Sequence, residues 1–180
     1  MLEGLAVPDS NIVAPGIFGY NIASRSRLTI PHRKKLLAEA GSPNGFALTI
    51  HGPNKRYISD EQVVQTDAQF LSRIGIQTRG ETLPLAVYFP KAGKSEFSMG
   101  LLGWGSLAGD FAFRTVLGTP NPETGWGSWN WGKCSNPALD QLVQSALASV
   151  DAAQREDFAR QAALALKDYA ALPLHHQSAS

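Results

Sequence analysis

Helical and strand patterns alternate along the first half of this chain, and that order constrains its fold more than any other feature. Apolar residues have helical spacing in three segments, and a short strand-like segment follows each of them. The predicted helices cover residues 32–40, 59–74 and 84–89, and the predicted strands cover residues 46–50, 76–83 and 97–102. Helices between successive strands favour parallel pairing. The order therefore predicts an α/β fold with a mixed, mostly parallel sheet flanked by helices.

Residues typical of helix ends support the first two helices. Pro31 stands where the first helix begins, and Gly41 follows its last apolar position. Ser59 is followed three residues later by Gln62, which is the pattern of a capping box at the start of the second helix.

The two ends of the chain have different patterns. Residues 7–20 are rich in Pro, Gly and small polar residues, and we predict that residues 1–30 form an extended connecting segment before an α/β lobe over residues 31–180. Asn136, followed by a proline, predicts the start of a helix that continues to Ala148. Asp151 predicts the N-cap of a last helix over residues 152–170, and residues 172–177 resemble a final strand.

Charge and cysteine content exclude several classes of function. A net charge of +1 argues against a nucleic-acid surface, so no nucleic-acid partner is expected. A single cysteine, Cys134, excludes an internal disulfide and a cysteine-based zinc cluster. No apolar run approaches the ~18 residues of a membrane span. The start, residues 1–5, lacks the pattern of a signal peptide, so the chain alone is typical of a cytoplasmic protein unless its front end is missing. One local basic cluster is interpreted as a solvated face, with a phosphate or membrane site as the alternative: Arg25, Arg27, His32, Arg33, Lys34 and Lys35.

Catalytic and cofactor motifs are weak. The glycines at 100, 103 and 105 do not open a helix in the pattern of a dinucleotide or phosphate loop, so no cofactor is expected. His175 and His176 are neighbours on a predicted strand, where side chains point to opposite faces, so they are poorly placed to share a metal. A small α/β enzyme that uses one of these histidines with Asp110 stays open as an alternative.

The strongest local signal follows the third predicted strand. Gly103, Trp104 and Gly105 end an apolar run, and Asp110 comes shortly after. Ligands in open α/β sheets bind beyond the carboxyl ends of strands, where glycines permit close approach and a Trp offers a flat apolar wall. A core Trp with turn glycines and an Asp helix cap explains the same residues equally well.

Three further tryptophans lie close together at positions 126, 129 and 131. If this piece is extended, all three side chains lie on one side of it. Such a stripe binds sugars or peptides, but a packing role for at least two of them is favoured.

The order of several motifs resembles that of family 5 extracellular solute-binding proteins. The helix ending in Leu36-Leu37-Ala38-Glu39-Ala40-Gly41, followed by Pro43-Asn44-Gly45-Phe46, is similar to one stretch of that family. His51-Gly52-Pro53-Asn54, Leu102-Gly103-Trp104, the loop from Trp129 to Pro137, and Pro173-Leu174-His175 follow in the family's order. The resemblance covers nearly the whole chain.

The resemblance implies a two-lobed protein with a periplasmic-binding-protein type II-like lobe that closes over a solute. It implies a peptide or similar small solute as ligand, the permease of an ABC transporter as partner, and a periplasmic or extracytoplasmic location. It also implies that this chain is the carboxyl-terminal portion, that the amino-terminal half is absent, and that the chain is not an enzyme. A non-binding structural fragment is a further alternative.

The residues expected to meet the solute are Trp104, Gly105, Ser106, Leu107 and Asp110. Peptide-binding relatives often have an acidic residue where this chain has Leu107, and Asp110 matches a second acidic position. We also expect the third strand, residues 97–102, to be central in the sheet and to deliver Trp104 to the rim of a cleft.

Overall fold

The computed structural model describes residues 6–9, 11–20, 29–105, 109–165 and 174–177, with the backbone alone at 6–9, 109–110, 165 and 174–177. The chain divides into two compact units. The first unit contains Arg27–Gly103, and the second contains Leu2–Ser26 with Trp104–Ser180.

The first unit is built on a three-stranded parallel sheet. Strand β1 (Ala6–Asp9) comes first in the chain and belongs to the second unit. The elements of the first unit then follow in chain order: α1 (Ile30–Glu39), β2 (Ala47–Pro53), α2 (Asp60–Arg73), β3 (Gln77–Leu83), α3 (Leu85–Gly93) and β4 (Met99–Gly100). The strand order is β3-β2-β4, and β2 pairs in parallel with both neighbours. The predicted α/β class and parallel pairing are therefore confirmed.

Helices lie on both faces of this sheet. Ile50 of β2 packs with Val64 and Ala68 of α2 in a buried cluster. His51 points to the opposite face because neighbouring strand residues alternate. There its ring stacks on Phe97 at 4.1 Å, and Phe97 stacks in turn on Tyr88 of α3 at 5.3 Å.

The third strand differs from its prediction. We expected residues 97–102 to form a central strand, but β4 contains only Met99–Gly100 and lies at one edge of the described sheet, while β2 is central. Phe97 leaves the strand because its ring fills the space between His51 and Tyr88. The Tyr88 hydroxyl donates a 2.8 Å hydrogen bond to the Leu101 carbonyl, which holds the chain beyond β4 against α3.

The capping box predicted at Ser59 is wrong. Ser59 is in the left-handed region with φ +56°, and its side chain makes no capping bond. Asp60 is the residue whose carboxylate binds the backbone here: it accepts hydrogen bonds from the N–H groups of Arg56, Tyr57 and Glu61. A carboxylate accepts more of these hydrogen bonds than a hydroxyl does. Its negative charge also interacts favourably with the positive end of the helix dipole.

The second unit is mainly helical. A short helix α4 (Gly109–Ala112) continues as a π-helix (Phe113–Leu117), followed by α5 (Pro137–Ala148) and α6 (Ala152–Ala165). Asn136 and Asp151 cap α5 and α6 as predicted, accepting bonds from Leu139 N and Gln154 N. The core joins residues from the π-helix, α5 and α6: Phe113, Leu117, Leu139, Val143, Ala159, Ala162 and Ala163.

Two strands from opposite ends of the chain pair in this unit. β1 (Ala6–Asp9) forms an antiparallel ladder with β5 (Leu174–Gln177). β5 confirms part of the predicted final strand, whereas β1 was not predicted as a strand because its partner is distant in sequence. Within the described ranges, no helix combines the length and apolarity needed to cross a bilayer.

Candidate functional site

Four aromatic rings of the second unit form a continuous cluster, here called the aromatic cluster: Trp104, Phe111, Trp129 and Trp131. The Trp104 ring stacks on Phe111 with centroids 6.1 Å apart and contacts Trp129 at 5.2 Å. Trp129 in turn contacts Trp131 at 5.3 Å. The three indoles are half-buried and Phe111 is 44% exposed, so the cluster offers apolar aromatic surface to solvent.

Trp104 enters this cluster directly after a glycine that cannot be replaced without movement. An added Cβ at Gly103 would lie 2.5 Å from the ring of Tyr57 in the first unit. The Tyr57 hydroxyl also donates to the Gly103 carbonyl at 3.4 Å. The close approach of backbone and ring therefore explains the glycine that precedes Trp104.

The helical turn after Phe111 adds a cation to the cluster. The Arg114 guanidinium lies 5.6 Å from the centre of the Phe111 ring. Arg114 Nε is buried and has no hydrogen-bond partner among the described residues. The Thr115 hydroxyl donates to the Phe111 carbonyl at 2.7 Å and holds this turn together.

A buried asparagine shapes the loop that carries Trp129 and Trp131. The Asn130 amide nitrogen donates to the carbonyls of Gly118 and Cys134, both at 2.9 Å. Its Oδ1 accepts from Cys134 N at 3.2 Å. Trp129 N also donates to the Thr115 carbonyl at 2.9 Å, so the loop is attached to the π-helix beside the aromatic cluster.

The tryptophan loop is a series of turns, so the extended stripe considered for Trp126, Trp129 and Trp131 does not occur. Gly127 has φ +61°, and an added Cβ there would lie 2.4 Å from the Gly118 carbonyl oxygen. Trp126 packs against the core of the second unit, while Trp129 and Trp131 belong to the aromatic cluster. The tight turn at Gly127 separates these two environments.

The cluster also contains an unpaired polar group. Trp104 Nε1 is buried and has no hydrogen-bond partner among the described residues. An unsatisfied buried donor costs about 1–3 kcal/mol. The stacked, partly exposed rings are suited to a solute with a flat or apolar part.

The structure describes only some of the residues predicted to form the site. Trp104 is half-buried and Gly105 is exposed. Ser106 and Leu107 lie outside the described residues, and Asp110 is described only as backbone of α4. The site therefore stays a prediction at these positions.

The histidines of the enzyme alternative lie on β5, where His175 pairs with Pro8 and His176 with Val7 across the ladder. Their side chains are outside the description. In the described part of the chain, no group of three or more His, Cys, Asp or Glu side chains is placed to hold a metal ion.

Sequence reasoning missed Arg114, Thr115 and Asn130 as residues that build the cluster. No sequence motif marks Arg114 or Thr115, although their side chains contact Phe111 only three and four residues away. Asn130 stands between two tryptophans, and a polar residue in such an apolar stretch was a signal of a buried hydrogen-bonding role.

Structure comparison shows that the fold is that of periplasmic binding proteins. The structure is similar to that of the ABC transporter-associated periplasmic binding protein DppA from Helicobacter pylori, solved with the peptide STSA. The TM-score is 0.81 at 25% identity, over 91% of this chain and 32% of that one. It also resembles MoaA from A. tumefaciens R10, solved with mannopinic acid, with a TM-score of 0.83 at 19% identity, which shows the fold alone.

Sequence comparison gives the nearer relatives. The chain is 27% identical to the dipeptide-binding protein of Escherichia coli and 26% identical to heme-binding protein A of Haemophilus influenzae. These matches cover 98% and 97% of this chain but 34% and 32% of those proteins, so the chain spans about a third of their length. No family model matches the sequence. The predicted resemblance to family 5 solute-binding proteins is confirmed, and the coverage of about a third of their length is consistent with the expected partial chain.

Proposed function

We propose that this chain is part of the substrate-binding component of an ABC transporter for peptides or related solutes, located outside the cytoplasmic membrane. The observation that carries the proposal is the similarity of nearly the whole chain to a dipeptide-binding protein. A structural neighbour described as periplasmic and ABC transporter-associated supports the location and the permease as partner.

The proposed ligand site is centred on Trp104 and includes Gly105, Ser106, Leu107 and Asp110. The partly exposed aromatic cluster around Trp104 supports this placement, because half-exposed stacked rings provide apolar contact area for a solute. Arg114 adds a cation at the Phe111 ring that would favour a carboxylate on the solute. With Leu107 in place of an acidic residue, recognition of a ligand amine would depend on Asp110.

The same proposal makes the chain a binding protein without catalytic activity. The support is that two curated relatives carry the names of binding proteins, a dipeptide-binding protein and heme-binding protein A.

The test is a chimera in which this chain replaces the matching third of the Escherichia coli dipeptide-binding protein. Calorimetric titration with dipeptides should show binding, and Trp104→Ala should weaken it about tenfold or more, because an aromatic contact in a binding site contributes about 1–3 kcal/mol. Phe70→Ala is the matched control, since Phe70 is an exposed aromatic residue of α2. A folded chimera whose affinity does not respond to Trp104→Ala would contradict the proposed site.

A further inference from the structure

The outer edge of β3 is a second surface with specific chemistry. Among the described residues, β3 pairs with β2 alone, so its other edge has no strand partner in that part of the chain. Gln77 N donates to Phe46 O, and Leu83 O accepts from Asn54 N, so the odd-numbered residues of β3 direct their backbone groups to β2. In a parallel ladder the backbone groups alternate in direction, so those of Thr78, Gly80 and Thr82 point outward.

The side chains along this edge have a self-complementary order. The sequence Thr78-Arg79-Gly80-Glu81-Thr82 carries a base and an acid at equal distances from a central glycine. Arg79 and Glu81 lie on the same face of the sheet, with Arg79 Nε 3.2 Å from Glu81 Oε1. Both are accessible, with side-chain exposures of 80% and 39%.

We propose that a second copy of this chain pairs with β3 in antiparallel orientation about a two-fold axis at Gly80. That axis places Gly80 opposite Gly80 of the second copy in a hydrogen-bonded pair, which uses the outward-pointing backbone groups. Each Arg79 then faces a Glu81 of the other copy in the closely spaced, non-hydrogen-bonded pair. Each Thr78 faces a Thr82, which is also a favourable cross-strand pair.

The charges select this register and this partner. Charged residues on an edge strand usually discourage pairing with other chains. A two-fold axis at Gly80 instead arranges four charges of alternating sign on one face of the paired strands. If one strand slides by two residues in either direction, like charges, or a charge and an apolar side chain, lie opposite each other. An isologous pair is thus favoured over indiscriminate strand addition.

There is space beside the edge for a neighbouring strand. An open groove of about 520 Å³ lies between α2 and β3, bordered by polar side chains that include Gln65, Gln69 and Thr78. Gln65 Nε2 donates to the Gly80 carbonyl at 3.1 Å, and that oxygen has a second lone pair for a partner strand. The Gly80 carbonyl can therefore accept from Gln65 and from a partner strand together.

The test is charge reversal followed by sedimentation of the 180-residue chain over a wide range of concentration. The wild-type chain should dimerise reversibly. Arg79→Glu and Glu81→Arg should each weaken dimerisation about tenfold or more, because each replaces two opposite-charge pairs with two like-charge pairs. The double variant, with both reversals, should recover the wild-type association because the charges remain complementary.

Sedimentation of a mixture of the two single variants is an independent measurement. Association in the mixture also shows that both variants are folded. One edge then carries two acids and the other two bases, so the mixture should form a heterodimer although each variant alone associates weakly. Lys35→Glu is the matched control, since it reverses the charge of an exposed ion pair with Glu39 on α1 and should leave dimerisation unchanged. A wild-type chain that stays monomeric at its highest soluble concentration, single reversals without effect, or a double variant that fails to recover would each overturn the proposal.

Discussion

Asp60 is a buried acidic residue whose carboxylate is held by backbone hydrogen bonds. Its carboxylate is buried at the start of α2 and accepts backbone bonds from Arg56 N at 2.8 Å, Tyr57 N at 3.0 Å and Glu61 N at 2.9 Å. Burial by itself would raise the pKa of this carboxyl, but the backbone hydrogen bonds together outweigh it and hold the pKa below its usual value. The turn that joins β2 to α2 therefore depends on a charged Asp60.

We predict that Asp60→Asn lowers the free energy of unfolding by about 1–3 kcal/mol at neutral pH, because an amide accepts fewer of these bonds. A carboxyl whose pKa is lowered on folding stabilises the protein above the unfolded pKa of about 3.9, and this contribution is lost as the pH falls through the folded pKa. Urea unfolding at neutral and acid pH should show the difference between wild type and variant shrinking in acid.

Asp157→Asn is the control for this measurement, because Asp157 is exposed on α6 and bonds the Gln161 side chain. It should change stability little at either pH. A difference between wild type and Asp60→Asn that is independent of pH would contradict a role for the ionised carboxylate.

At the scale of elements, the contact between α2 and β2 determines how the first unit packs. Val64 is 1% exposed and lies over Gly52, where an added Cβ would be 2.5 Å from Val64 Cγ2. Gly52 thus lets the helix approach the central strand, and no other residue type at this position permits the same distance.

Gly52→Ala should therefore lower the free energy of unfolding by about 1–3 kcal/mol, because the added methyl group overpacks the interface. Combining it with Val64→Ala should cost less than the sum of the two single changes, since the smaller side chain removes the clash. Denaturant unfolding of the four proteins measures this coupling. Gly93→Ala is the control because no atom lies within 4 Å of its added Cβ, and additive costs for positions 52 and 64 would contradict the steric explanation.

At the scale of the whole molecule, the chain spans about a third of the length of its relatives. Two-lobed solute-binding proteins gain affinity by enclosing the solute, which requires surface from both lobes. The aromatic cluster of this chain remains partly exposed, with Phe111 at 44%. A solute held on such a surface keeps much of its water contact while still losing its freedom of motion.

We predict that the 180-residue chain by itself binds dipeptides and tetrapeptides only weakly, with no affinity in the micromolar range or tighter. Calorimetric titration beside sedimentation measures both the affinity and the state of association. Tight binding by a well-behaved monomer would mean that the ligand site is complete within this chain. The edge-charge variants distinguish association through β3 from association through exposed aromatic surface, because only the former responds to them.

The sequence by itself determined the identity and order of most elements. Local signals sufficed for α5 and α6, where Asn136 and Asp151 cap the helices as predicted, and for the parallel α/β order of β2, β3 and the helices around them. These features depend on residues within a few positions of one another, whose hydrogen bonds and apolar spacing do not require knowledge of distant parts of the chain.

Only the tertiary structure decided the features that join distant segments. It pairs β1 with β5 across the chain and places β4 at an edge of the described sheet. It also separates Trp126, which packs on a core, from Trp129 and Trp131, which join Trp104. The physical reason is that the free energy of these contacts comes from residues far apart in sequence, whose approach depends on how glycines such as Gly52 and Gly127 let backbone segments meet.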